Sequence, residues 1–333
     1  KDFMNKLIIS IPQFNLSGGN LVSLELGLFL KKKGLDVYGH SGFRLKKIDE
    51  IELNIPKRGL CNTIINIISF FCSSFYSLFS KYYIATHHLT SLFNFIKPAK
   101  FSLIQDIESL FYPKRLSWFG TILWRNYLKS DTLLYTSKYL EQRIHNNNNP
   151  KTIGFPFIKT STNFSLTGEK IYDALMILRD GDYKNYNLTL SEFYRLNNNG
   201  FTVALVNASR NSLPFNPLIF SNLCRDDFIK VLMMSKRFIC LSKWEGLGLP
   251  NLEAYSLGLE IISTKIPSAQ IIEEIDPNAI TIIDSIEQVE KAIISNRVQI
   301  SDNKMYLRSE SLTDLDSLWK EHIFSTIRYY MGQ

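Results

Sequence analysis

The chain has 333 residues, 45% of them hydrophobic and 21% charged, which excludes a disordered chain and points to two domains of ordinary size. Its formal net charge of +7, with a pI of about 9.0, fits an anionic partner such as a phosphorylated substrate or an acidic membrane face. With no basic arm and no aromatic–basic RNA signature, the sequence argues against nucleic acid. Cys61, Cys72, Cys224 and Cys240 form no CxxC pair and have apolar neighbours, so they read as buried free thiols in a reducing compartment. The opening "KDFMNKLIISIPQ" has no sustained apolar core before Pro12, and a cytoplasmic location is expected.

In chain order, "KLIISIPQF" reads as an apolar strand, "NLSGGN" as a turn, "LVSLELGLFLKKKG" as a helix closed by Gly34, and "LDVYGHS" as a strand. Strand, Gly-rich turn, helix, strand is a βαβ unit and implies a parallel sheet. Residues 59–80, "GLCNTIINIISFFCSSFYSLFS", carry no charge and are long enough to span a bilayer. However, Asn62, Asn66, Ser69, Ser73, Ser77 and Ser80 recur at steps of four and three and form one polar stripe. The segment is therefore an amphipathic helix whose Ile/Phe face packs on a core or lies on a membrane interface. "YYIATHH", "KFSLIQD" and "DTLLYTS" read as further strands, "SKYLEQRI" as a helix and "KTIGFPFI" as a last strand.

The second half repeats the theme. Strands are expected in "KIYDALMILRD", "FTVALVNAS", "KRFICLS", "LEIISTK" and "AITIID". Helices are expected in "NLTLSEFYRLNNNG", "CRDDFIKVLMMS", "LPNLEAYSLG", "SAQIIEEI" and "SIEQVEKAIIS", and a long amphipathic helix ends the chain. The expected division is 1–158, 159–310 and a C-terminal helix, 311–333, returning to the first domain. Ligands in such sheets bind at the carboxyl ends of the strands.

Three stretches carry candidate chemistry. In "SGGN", Gly18 and Gly19 let the backbone approach a ligand and leave free N–H groups at a helix start. A structural tight turn explains them equally well, and the pattern is not GxGxxG. In "LRDGDYKN", Asp180 and Asp182 form a DxD that could hold a metal on a diphosphate. Arg179 and Lys184 offer a metal-free clamp, and the cations are favoured. In "KWEGLGLPNLEAYSLG", Gly246 and Gly248 free the backbone, Pro250 stands where a helix begins, and Glu245 and Glu253 flank the turn. Glu253 is expected in the first helical turn, able to accept from a ribose diol. Both acids also admit a bland reading, as a turn acid and a dipole-favoured helix acid.

This last motif resembles the retaining glycosyltransferases of family 4. Their pattern E-G-F/Y-G-L-P-x-L-E-A-x-A-x-G is met by "EGLGLPNLEAYSLG", with seven residues between the glutamates and with Leu247 and Ser256 as departures. The glycine turn, the R-x4-K spacing of Arg179 and Lys184, and "STKIPSAQIIEE" resemble the family's other segments in order. "ATHHLTSLF…KFSLIQDIESLFYP" is similar to a stretch of bacterial rhamnosyltransferases that build surface glycans, matching at Gln105, Asp106, Glu108, Phe111, Tyr112 and Pro113. His87 and His88 lie near the family's cleft histidine, with no way to choose between them.

The resemblance implies a GT-B fold: two doubly wound α/β, Rossmann-like domains facing a central cleft. It implies a nucleotide-diphosphate sugar as co-substrate, dTDP-rhamnose favoured, with no metal or other cofactor. The donor would meet Gly18, Gly19, Arg179, Lys184, Glu245, Gly246, Leu247, Gly248, Leu249 and Glu253. His87, His88, Gln105, Asp106 and Glu108 would face a glycan or lipid-linked acceptor at the inner membrane face. Arg179, Lys184, Glu245 and His88 are the implied catalytic residues. The rivals are an inactive sugar- or nucleotide-binding relative and an NAD-dependent dehydrogenase; the missing GxGxxG argues against the latter.

Overall fold

The computed structural model describes residues 6–54, 60–144, 149–159, 170–295 and 302–332. It divides into two compact units, Lys1–Ile158 with Leu315–Gln333, and Lys159–Asp314.

The first unit is built on seven strands: β1 (Leu7–Ser10), β2 (Val37–Ser41), β3 (Arg44–Lys47), β4 (Tyr82–Ala85), β5 (Phe101–Ile104), β6 (Thr132–Tyr135) and β7 (Lys151–Ile153). Their spatial order is β3-β2-β1-β4-β5-β6-β7, all parallel except the β2–β3 hairpin. β1, β4, β5 and β6 are buried along their whole length, as parallel strands covered on both faces must be. Four helices accompany them: α1 (Gly18–Lys32), α2 (Leu60–Ser77), α3 (Ser117–Tyr127) and α4 (Lys138–Ile144). The edge strand β3, the helix α3 and the second-unit strand β10 given below are absent from the sequence reading.

Two local expectations need correction. Gly18 and Gly19 are not in a turn before α1; they are its first residues, behind the N-cap Ser17, whose side chain accepts from Asn20 N. The larger correction is α2. Of the two placements expected for its Ile/Phe face, the one on a core does not hold: Ser69, Ser73, Ser74 and Ser77 of the helix, and Ser80 just beyond it, are buried, while Ile64, Ile67, Phe71 and Phe75 are exposed. The reason is close approach. Gly42, at φ +59°, brings its backbone N–H to Ser73 Oγ at 3.3 Å, and an added Cβ there would stand 3.1 Å from Ser69 Oγ. The serine hydroxyls are satisfied locally, as in Ser77 Oγ to Ser74 O (2.6 Å) and Ser80 Oγ to Tyr76 O (3.1 Å).

The second unit has six parallel strands: β8 (Ala174–Leu178), β9 (Val203–Asn207), β10 (Ile219–Ser221), β11 (Arg237–Cys240), β12 (Glu260–Ser263) and β13 (Ile280–Ile282), in the order β10-β9-β8-β11-β12-β13. The helices are α5 (Tyr186–Asn198), α6 (Arg225–Met233), α7 (Leu249–Ser256), α8 (Pro267–Ile275) and α9 (Glu287–Ile294). Met176, Leu178, Leu205, Ile239, Phe193 and Leu196 are among the residues of one of its cores.

The final helix, α10 (Asp302–Met331), contributes to both units. In the second, Arg308 holds Asp276 at 2.9 Å. In the first, Trp319 is buried against Gly154, where a Cβ would come within 2.4 Å of the indole. Asp316 accepts from Phe157 N at 3.1 Å and pairs with Lys320. The cysteines are free, but Cys61 and Cys224 are exposed, contrary to the buried reading. Cys61 stands on the outward part of α2, and Cys224 caps α6 with its thiol donating to Asp227.

Candidate active site

In the second unit the sheet changes direction at β8, with β9 on one side and β11 on the other. Such a switch point leaves a crevice at the strands' carboxyl ends. Arg179 follows β8 directly. Gly181, at φ +112°, then turns the chain into a short 3₁₀ segment ending at Lys184. Asn185 takes a left-handed conformation, φ 54°, which asparagine tolerates, and donates to Leu241 O at 2.6 Å. Lys243 N donates to Tyr183 O at 2.8 Å, so the loops after β8 and β11 are laced together.

This lacing brings Lys184 onto Glu245 as an ion pair with both side chains almost wholly buried. The second oxygen of Glu245 accepts from Ser242 Oγ at 2.9 Å. Arg179, Lys184, Ser242, Glu245, Gly248 and Asn251 line a cavity of about 20 Å³, room for about one water molecule. Arg179 has no ion pair or hydrogen-bond partner among the described residues. Asn251 donates to Ser263 Oγ at 3.1 Å, but its Oδ1 is buried without a partner, an unanswered acceptor on the wall of the cavity.

Gly246 and Leu247 are buried, and Leu249 is half-buried at the head of α7. Gly248 has φ +91°, and a Cβ there would approach Ser268 Oγ to 2.5 Å; only glycine fits. Glu253 is not in the first turn of α7, as expected, but in the second, because the helix begins at Leu249. It does not line the cavity. It is buried, with Arg225 Nη2 on its Oε1 at 2.8 Å. Asp180 of the DxD accepts from Arg210 N at 2.9 Å and faces its guanidinium at 3.7 Å.

The first-unit residues gather at the carboxyl ends of β1, β4 and β5. Gln105 packs on the first turn of α1: a Cβ on Gly19 would meet Gln105 Oε1 at 3.1 Å, whereas Gly18 is exposed. Asp106 Oδ1 accepts from Ile107 N at 2.8 Å. His88 is buried, and both its ring nitrogens are engaged: Nδ1 with Glu108 Oε2 and Nε2 with Tyr112 OH, each at 2.6 Å. Carboxylate on Nδ1 fixes the tautomer with Nδ1 donating and Nε2 facing the phenol. The half-buried hydroxyl of Tyr112, rather than His88 itself, is what this chain of bonds presents.

Burial pushes the Glu108 carboxyl up, but the neighbouring His87 and His88 and the His88 N–H outweigh it and hold it below the usual range. Burial lowers His87 to about 4, against the pull of Glu108, so its imidazole is neutral at pH 7. Its Nε2 lies 3.9 Å from Glu108 Oε1. Among the described residues, His87, His88 and Glu108 are the one group of three with metal-ligand proximity. The hydrogen bonds above already engage both ring nitrogens of His88 and the Oε2 of Glu108.

Sequence reasoning missed Ser242, Asn185 and Arg225 as partners of these groups. Asn185 lay within the quoted "LRDGDYKN", but nothing in spacing ties Arg225 to Glu253.

No family model and no curated protein matches the chain. Solved structures do. A sucrose-phosphate synthase from Thermosynechococcus elongatus is similar at a TM-score of 0.66 and 10% identity, over 98% of this chain and 99% of that one. The Anabaena protein HepE, solved in complex with UDP and glucose, is similar at 0.61 and 10%, over 96% and 99%. WaaG, a glycosyltransferase involved in lipopolysaccharide biosynthesis, is similar at 0.58 and 13%, over 97% and 99%. At such identities the likeness speaks for the fold: this chain has the two-unit α/β fold of the GT-B glycosyltransferases.

Proposed function

We propose that this protein is a retaining glycosyltransferase. It moves a sugar from a nucleotide-diphosphate donor, dTDP-rhamnose before UDP- or GDP-sugars, to a glycan or lipid-linked acceptor in bacterial surface-polysaccharide synthesis. The observation that carries the reading is the meeting of Arg179, Lys184 and Glu245 around one cavity at the switch point of the second sheet. Two cations and one acid suit a diphosphate joined to a sugar, and HepE, of the same fold, holds UDP and glucose. The surface-glycan assignment draws on the "QD-x-E-x-x-FYP" likeness and on WaaG's part in lipopolysaccharide synthesis.

The acceptor oxygen bonds to the anomeric carbon on the face from which the diphosphate leaves. As the carbon–oxygen bond to phosphate breaks, a phosphate oxygen takes the acceptor proton, giving the glycoside and the free nucleoside diphosphate. Arg179 and Lys184 stabilise the charge that develops on the leaving group, without a metal. Lys184 exchanges its carboxylate partner for phosphate, which frees Glu245 toward the sugar. Glu253, oriented by Arg225, takes the ribose.

Thermal melts with dTDP, UDP and GDP test the reading. One of them should raise Tm by about 5 °C or more near saturation, and Arg179→Ala with Lys184→Ala should remove the rise. No shift with any of the three would overturn it.

A further inference from the structure

A monomeric protein scatters its exposed apolar side chains; a contiguous apolar surface marks a partner. The outward face of α2 carries Ile64, Ile67, Ile68, Phe71 and Phe75, with Ile67 64% exposed, and Phe79 (73%) follows the helix. Segment 88–96 is wedged between α2 and α3. On one side the Phe93 ring meets Phe71 and Phe75 edge-on at 5.6 and 6.3 Å; on the other, Asn126 of α3 donates to Ser91 O and Leu92 O. Phe95 and Ile96 of this segment are exposed, and α3 adds Trp118 (63%), Phe119 and Ile122. Three neighbouring elements of one unit thus turn large apolar side chains to solvent.

Charge says what covers them. Between residues 60 and 130 the chain has seven lysines and arginines and two acids, Asp106 and Glu108. Glu108 is buried on His88, whereas Lys81, Lys97, Lys114, Arg115, Arg125 and Lys129 are exposed. A second copy of the chain, docked by two-fold symmetry, would set these cations against themselves. An anionic bilayer answers both features: acyl chains take Ile and Phe, the headgroup boundary takes Trp, and lipid phosphates meet Lys and Arg.

We propose that α2, segment 93–96 and α3 form a docking surface for an anionic bilayer, lying on the membrane rather than crossing it. No helix of the described residues is long and apolar enough to cross a membrane. The proposal deepens the reading of a lipid-linked acceptor, and its test is separate from donor binding.

Purified protein is sedimented with vesicles of phosphatidylcholine alone and of phosphatidylcholine with an equal share of phosphatidylglycerol. The wild type should pellet with the anionic vesicles. Ile67→Ser/Phe71→Ser and Trp118→Ser/Ile122→Ser should each weaken partitioning at least roughly tenfold, and Lys114→Glu/Arg115→Glu roughly tenfold or more on the anionic vesicles only. All six positions are exposed, so melts and nucleotide-induced shifts without vesicles should match the wild type; loss of the nucleotide shift alone would indict the donor site, not this surface. Absence of pelleting, pelleting that the variants leave intact, or a dimer that the apolar variants dissociate would overturn the proposal.

Discussion

Glu245 and Lys184 are paired across two loops, with Ser242 on the free carboxylate oxygen. Removing one partner of so buried a pair leaves the other uncompensated, so chemistry and stability both depend on it. Glu245→Ala should lower turnover of a nucleotide sugar roughly a hundredfold or more, read as nucleoside diphosphate released. If turnover is unchanged, Glu245 does not contact the reacting sugar. In the first unit, His88→Leu strands the buried Glu108 carboxylate and should cost about 3–5 kcal/mol by urea unfolding. At this scale the sequence singled out the glutamates and the cations through their likeness to a family's motifs; their spacing alone left a bland reading open. It did not show Arg225 beside Glu253 or Tyr112 behind His88, since these pairings depend on how elements distant in sequence fold together. Glu253 falls in the second turn of α7 because the helix starts at Leu249, directly after the left-handed Gly248 and ahead of the start that Pro250 suggests.

α2 shows what periodicity carries and what it omits. The polar stripe was legible as a helical repeat, yet its direction was not. A 3.6-residue period says that two faces differ; which one meets the sheet depends on how closely the neighbour comes. Here Gly42 and the Ser41 hydroxyl of β2 demand small side chains, and serine fits. Ser73→Leu should therefore destabilise the protein by about 1–3 kcal/mol through overpacking. Ile67→Ser, on the outer face, should stay within about 0.5 kcal/mol. Chemical unfolding of the two variants checks both; the reverse ranking would place the Ile/Phe face inside. β3 and α3 escaped the reading for different reasons. "RLKK" is an exposed edge with no apolar alternation, and α3 carries Gly120, where a Cβ would come within 2.4 Å of the Tyr112 ring.

The two sheets were legible as wholes because buried parallel strands are short apolar runs separated by turn residues. Their spatial order, and hence the switch point at β8, came from the structure. Two histidines of the first unit make stability depend on pH. Burial lowers His40 to about 4, as it does His87, while an unfolded histidine titrates near 6.5. The unfolded chain therefore binds protons first as pH falls. The stability these residues protect is complete above pH 6.5 and declines between 6.5 and about 4, by roughly 3 kcal/mol at most for each. Urea midpoints measured across that range should fall, and His40→Phe should flatten part of the fall; a flat wild-type profile would contradict these burials. The central claim, sugar transfer with retention at the second unit's switch point, is tested most directly by proton NMR of purified protein with dTDP-rhamnose, UDP-glucose and GDP-mannose, each with a glycan acceptor. The account predicts a product with the donor's anomeric configuration from at least one donor, lost in Glu245→Ala. A product of inverted configuration, or equal transfer by Glu245→Ala, would contradict it.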